Sequence, residues 1–303
     1  MTTVSTSAFY ERANFQLGQL RTEAESLQTQ ISSGQRLERS SDDPVAAARL
    51  RTLSRASRLA EVDQVSSERA TTDLQLSDGA LSALANRIIR ANELATQAAS
   101  GTLTDVDRGT IATELLSIRD EIIALANARN GIGQSLFGGE ATGLAYEEIG
   151  GVVTYVGFGD APETNLGDGQ NVARSLVGPE VFAFTDANGA TDIFAVLGNL
   201  AAALNAGGAA AGAAANDAIA SLDAGLEKVT TSQTVVGTRL AWIETLDDRR
   251  TTATELRAQE NESVGGTDLA ASISRLQQVL TVLEASQSSF IRLANLSLFN
   301  LIR

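Results

Sequence analysis

The chain has 303 residues, 43% hydrophobic but only 4% aromatic, with 23 basic against 37 acidic side chains, a formal net charge of -14 and three prolines. It is long enough to bury one or two cores, and a composition dominated by Ala, Leu, Ser and Thr suits long helices. Without Cys or His it has no disulfide, thiolate nucleophile, Cys/His zinc site or imidazole base, and its negative charge disfavours nucleic acid and anionic membrane surfaces.

The basic residues are 22 Arg and one Lys, Lys228. They are scattered, which reads as solvated helix faces rather than a site for carboxylates or phosphates. Met1 to Gln16 has no basic segment followed by an apolar one, so secretion would need a route other than a cleaved signal peptide. Ile193 to Asn216 carries no charge, but its three Asn, four Gly and many Ala leave it short of a membrane span.

In chain order, the first element is a helix whose Tyr10, Ala13, Leu17, Leu20, Ala24, Leu27 and Ile31 alternate at spacings of three and four, a narrow seam made to lie along a partner. Gly34 ends it as a C-cap. Asp43-Pro44 opens the second, with Asp as N-cap and Pro at the first helical position. That helix extends to about Gly101, and Asp78-Gly79 marks a candidate interruption. Thr104 or Asp105 caps a third helix, which Asn130-Gly131 stops.

From Gly138 to about Asp192 the period becomes strand-like. Gly150-Gly151, Asp168-Gly169 and Asn188-Gly189 each separate short β-prone runs, as hairpin turns do. The run Val181-Phe182-Ala183-Phe184 belongs to this part. Asp192 to Leu204 reads as a short helix and Asn205 to Ala215 as a Gly/Ala-rich loop. Helical periodicity returns at Ala218 through Leu222, Leu226, Val229, Val236, Leu240 and Ile243. After a break at Gly265-Gly266 it repeats at Leu269, Ile273, Leu276, Leu280, Leu283, Gln287 and Phe290.

The expected fold is mainly α: a long antiparallel helical bundle or coiled-coil rod formed by the N- and C-terminal regions, with a small β-rich domain inserted in the middle. Residues 1–40 and 266–303 would be terminal coiled-coil helices, 41–137 and 216–265 a helical rod domain, and 138–215 a β-rich outer domain with the Gly/Ala-rich loop. Leu293, Leu296, Leu298, Phe299, Leu301 and Ile302 cover several faces of the last helix. Burying a Leu-sized side chain is worth roughly 1.5–3 kcal/mol, so an apolar terminus implies a partner.

No catalytic residue, metal site or cofactor is expected. Adjacent carboxylates at Asp42-Asp43, Glu147-Glu148 and Asp247-Asp248 diverge on a helix and read as caps or solvated groups. The stretch Asp186 to Asp192 is like the start of a calcium loop but lacks its distal Glu, so a hairpin turn is expected. Gly157, Gly159, Gly167 and Gly169 have no following Lys-Ser/Thr and are turn residues rather than a phosphate loop. Asn261-Glu-Ser263 and Asn295-Leu-Ser297 match a glycosylation pattern that arises often by chance.

The run Gln30-Ile31-Ser32-Ser33-Gly34-Gln35-Arg36-Leu37-Glu38-Arg39-Ser40-Ser41-Asp42-Asp43-Pro44 resembles the N-terminal signature of the flagellin family, with Ser33, Gly34, Asp42, Asp43 and Pro44 forming its turn. Asp268 to Arg303 is similar to the other terminal helix of that family. Gly133-Gln134-Ser135-Leu136-Phe137-Gly138-Gly139 with Val153-Thr154-Tyr155-Val156-Gly157, and the ending Leu296 to Ile302, resemble the members found between hook and filament. The resemblance implies a non-enzymatic, extracellular flagellar protein exported unfolded by the flagellar type III route. It would polymerise through Leu17, Leu20, Leu27, Ile31, Leu276, Leu280, Leu283, Phe290, Leu296, Leu298 and Phe299. Implied partners are further copies of itself, another hook-associated protein on the hook side, flagellin on the filament side and an export chaperone on the C-terminal helix, with no nucleic acid and no membrane insertion. The alternatives are a filament flagellin, or a flagellin-like surface protein whose insert binds a ligand.

Overall fold

The computed structural model of the chain describes the backbone of residues 6–301 and the side chains of residue 8 and residues 10–292. Its helices are α1 (Thr6–Ser33), α2 (Pro44–Ala98), α3 (Asp105–Ala126), a short α4 (Gly178–Phe182), α5 (Ile193–Ala206), α6 (Gly208–Gly265) and α7 (Leu269–Leu301). Three antiparallel hairpins lie between α3 and α5 in sequence: β1–β2 (Tyr146–Ile149, Val152–Tyr155), β3–β4 (Glu163–Asn165, Asn171–Ala173) and β5–β6 (Ala183–Asp186, Gly189–Asp192). The chain divides into two compact units, one of Met1–Arg58 with Thr251–Arg303, the other of Leu59–Arg250.

The helix ends are written in the sequence. Gly34 takes the left-handed conformation, φ 68°, and ends α1 without the penalty a Cβ would bring. Asp43 Oδ1 accepts from the Ala46 N–H at 3.0 Å, capping α2 behind Pro44. Thr104 and Asp107 form a reciprocal capping box on α3, and the Thr104 hydroxyl holds the Asp107 carboxyl below its ordinary pKa. Asp192 Oδ1 accepts from the Ala195 N–H at 2.8 Å to start α5.

The core of the Leu59–Arg250 unit is a layer of Leu74, Leu81, Leu84 and Ile88 from α2, Leu115 and Ile122 from α3, Leu197 and Leu204 from α5, and Leu222, Val229, Val236 and Ile243 from α6, all buried. The hairpins form three separate two-stranded sheets, and such ribbons are marginal alone. Each is tied to a helix. Asn127, the C-cap of α3, accepts from the Ala145 and Tyr146 N–H groups at 2.9 and 3.0 Å and donates to the Tyr146 carbonyl at 2.9 Å. Arg119 of α3 donates to Glu148 at 2.8 Å and to the Gly151 carbonyl. Arg239 of α6 donates to the Ser175 carbonyl at 2.7 Å, and Arg250 of α6 to the Leu166 carbonyl at 2.7 Å. Ser221 of α6 donates to Asp186 at 2.6 Å. An aromatic cluster of Phe137, Tyr146, Phe182 and Phe194, with ring centroids 5.0–5.5 Å apart, fills the space beneath. Gly178 has to be Gly, since a Cβ there would lie 2.7 Å from the Tyr146 ring and 2.9 Å from that of Tyr155.

Several expectations are corrected. The arginines are not all solvated: Arg108 and Arg119 are buried, and burial lowers the pKa of Arg239, because backbone carbonyls take their fork of donors. Asn205 to Ala215 is not a loop. From Gly208 it is the first turns of α6, because Asp105 Oδ1 accepts from the Gly208 N–H at 3.1 Å and Ala211 and Ala215 are fully buried, where only small side chains fit. α2 passes through Asp78-Gly79 without a break, α3 ends at Ala126 where Asn127 turns to the hairpin, and Val181-Phe182 closes α4 rather than opening a strand. Among the described residues no helix is long and apolar enough to cross a membrane, and no group of three or more carboxylates could hold a metal ion. Asp186 to Asp192 is a hairpin, with Asp186 accepting from the Asn188 N–H at 2.7 Å and from Ser221.

Candidate assembly surface

In the unit formed by Met1–Arg58 and Thr251–Arg303, α1 and α7 lie antiparallel. Tyr10 meets Phe290 edge-on with ring centroids 5.4 Å apart, and Arg275 reaches Glu23 at 2.8 and 2.9 Å. The seam of α1 faces α7: Tyr10, Ala13, Leu17, Leu20, Leu27 and Ile31 are half-buried and Ala24 is buried. Two helices alone cannot close over such a seam, and a groove of about 710 Å³ lined by Arg12, Leu17, Leu20, Val282 and Phe290 runs between them. Apolar side chains so placed are either functional or an aggregation liability.

On α7 the seam is displaced from its expected positions. Leu276, Leu283 and Phe290 are half-buried as expected, but Leu280 is 43% exposed while Val279 is 3% exposed. The helix turns Ser272, Leu276, Val279, Leu283, Ser286 and Phe290 inward, a second three-four alternation that the sequence also contains. Its two serines made the neighbouring alternation, richer in Leu and Ile, look stronger. Leu269, Ile273, Leu280 and Ile291 are left outward, and so is Phe15 of α1 at 67% exposure. The side chains of Leu296, Leu298 and Phe299 lie outside the described residues.

The signature turn clasps the link between α1 and α2 to the link between α6 and α7. Arg36 N–H donates to the Gly265 carbonyl at 2.8 Å, Thr267 N–H to the Gly34 carbonyl at 3.1 Å, and Gln35 bridges Gly266. The Arg36 guanidinium bonds Asp43 and the Val264 carbonyl, both at 3.2 Å. Asp42 Oδ2 accepts from the Arg39 N–H at 2.7 Å. Beside them Arg49 pairs with Glu260 at 2.5 Å. The Ala46 N–H, then Arg36, hold the Asp43 carboxyl below its ordinary pKa, and Arg49 does the same to Glu260. Ser33 Oγ accepts from the Gln35 N–H at 3.2 Å. Sequence reasoning found the turn residues but not their partners across the clasp.

Terminal helices paired with each other, a capped turn of this sequence and short hairpins between central helices define a flagellin-type protein. Residues 4–142 match the family described as the bacterial flagellin N-terminal helical region. The chain is 30% identical over 290 residues to flagellar hook-associated protein 3 of Escherichia coli, covering 90% of each chain. It is 27% identical over 317 residues to flagellar hook-associated protein 3 of Salmonella typhimurium, covering 99% of each. The crystal structure of flagellar hook-associated protein-3 from Legionella pneumophila shares its fold, with a TM-score of 0.65 at 15% identity over 71% of this chain and 98% of that one. The chain belongs to the flagellar hook-associated protein 3 family, within the flagellins.

Proposed function

We propose that this chain is a structural component of the bacterial flagellum, an adaptor that joins the hook to the flagellin filament by polymerising through its terminal helices. The observation that carries this reading is a likeness to flagellar hook-associated protein 3 over nine-tenths of both chains. The half-covered α1–α7 seam supports self-association, with Leu17, Leu20, Leu27, Ile31, Leu276, Leu280, Leu283 and Phe290, and beyond them Leu296, Leu298 and Phe299, as the contact set. On this reading the chain meets another hook-associated protein on one side and flagellin on the other. It leaves the cell unfolded by the flagellar type III route, with a chaperone on its C-terminal helix beforehand. Residues 1–40 and 266–303 assemble, 41–137 and 216–265 form the helical body, and the hairpins face outward. A strain deleted for the gene is expected to build hooks and shed filament protein into the medium. Attached filaments of normal length in that strain would refute the adaptor role.

A further inference from the structure

We infer that α2 and α6 carry a shared bending point at Gly79 and Gly237. These glycines lie in the interiors of helices of 55 and 58 residues, where Gly costs about 1 kcal/mol against Ala. Neither has a steric excuse: both are exposed, both have ordinary helical φ, and a Cβ at either would meet nothing within 4 Å. They also share a level. Gln233 Nε2 donates to Ser82 Oγ at 3.0 Å and Asn92 Nδ2 to Asp223 at 2.6 Å, which fixes α2 and α6 as antiparallel neighbours. Three residues back from Ser82 and four forward from Gln233, Gly79 and Gly237 fall at the same level of the pair.

Side-chain hydroxyls bond the helix carbonyls near this level, as they also do at Thr52, Ser66, Thr72 and Thr245 of the same helices. Ser77, fully buried, turns its hydroxyl onto the Asp73 carbonyl at 2.9 Å. On α6 the hydroxyls of Thr230, Thr231, Ser232, Thr234 and Thr238 each donate to the carbonyl four residues earlier. Such back-bonding competes for the carbonyl that the ladder uses and bends helices. Ser77 and Ser232 make their bonds on the buried side, beside Leu74, Leu81 and Val236, while Gly79, Gly237, Thr230, Thr231, Thr234 and Thr238 are exposed, on the side where the ladder lengthens as a helix curves. The pair bends there together, over an intact core.

The chain has no Cys, so an Arg69→Cys/Ile89→Cys variant carries spin labels at those positions alone, 20 residues or about 30 Å apart along α2. Both positions are exposed. Double electron–electron resonance is expected to give a broad distance distribution that narrows at least two-fold when Gly79→Ala and Gly237→Ala are added. Amide exchange at residues 80–83 and 238–241 should slow about five-fold at each site, the equilibrium factor of one Gly-to-Ala difference. A distribution of unchanged width after both substitutions overturns the bending point, whatever the exchange rates do. The test reads the helix pair alone and is indifferent to what the chain joins.

Discussion

Replacing Asn127 by Ala tests how the hairpins are held. The side chain makes three hydrogen bonds of 2.9–3.0 Å to Ala145 and Tyr146, both buried, so the variant strands two N–H groups and one carbonyl away from water. Each bond contributes about 0.5–1.5 kcal/mol net, and buried unsatisfied groups fall at or above the top of that range. The loss should therefore be about 3 kcal/mol, large for one side chain. Trp242, the only tryptophan, lies on α6 within the Leu59–Arg250 unit and reports its unfolding in urea. At a slope of about 2 kcal/mol/M the midpoint should fall by about 1.5 M, and the Ala145 and Tyr146 amides should lose protection before the rest of the unit. A shift below about 0.3 M, or retained protection of those two amides, would show that the aromatic cluster alone holds the hairpin and that the polar tie is incidental.

Two further outcomes concern the terminal helices. The folded pKa values of Asp43 and Glu260 lie below their ordinary values of 3.8 and 4.5. Their contribution to the clasp is therefore complete above those values, begins to fade as the pH falls past them and is gone below the folded ones; NMR should show the Ala46 amide shifting with acid while remaining constant above about pH 5.5. Val279→Asp places a charge in the buried α1–α7 seam and should separate the two helices, lowering helical content by circular dichroism. Leu280→Asp on the outward face should leave that content unchanged while abolishing association in sedimentation velocity. Equal behaviour of the two variants would remove the distinction between an inner seam and an outer assembly face.

Periodicity carried most of the fold because it is a property of neighbours in sequence. The α1 seam, the caps at Asp43 and Thr104, and the hairpin turns at Gly150, Asp168 and Asn188 were all readable from residues within a few positions of one another. The register of α7 was not, since Val279 and Leu280 both satisfy a three-four spacing and only the partner helix chooses between them. The arginine ties were invisible for a related reason. Arg119, Arg239 and Arg250 bond carbonyls of Gly151, Ser175 and Leu166, and a carbonyl is the same group at every position in the sequence. The Gly/Ala run misled because glycine signals loops. Its alanines are strong helix formers, and two of them are buried where nothing larger fits.

Charge divides the molecule in the same way as packing. Residues 1–58 and 251–303 carry 12 basic and 11 acidic side chains, and residues 59–250 carry 11 basic and 26 acidic. The first set is thus one charge from neutral, while the second has an excess of 15 acids. If copies associate through α1 and α7 as proposed, they would bring together surfaces with almost no net repulsion, and apolar contact would not have to overcome a Coulombic barrier there. The acidic excess resides in the unit that already has a complete core of its own and needs no neighbour to bury it. Like charge on that unit disfavours indiscriminate association between copies, over a range of about 8–10 Å at physiological ionic strength. On the proposed reading, attraction and repulsion would thereby fall to different residues, which would let the terminal pair be adhesive without making the whole chain so.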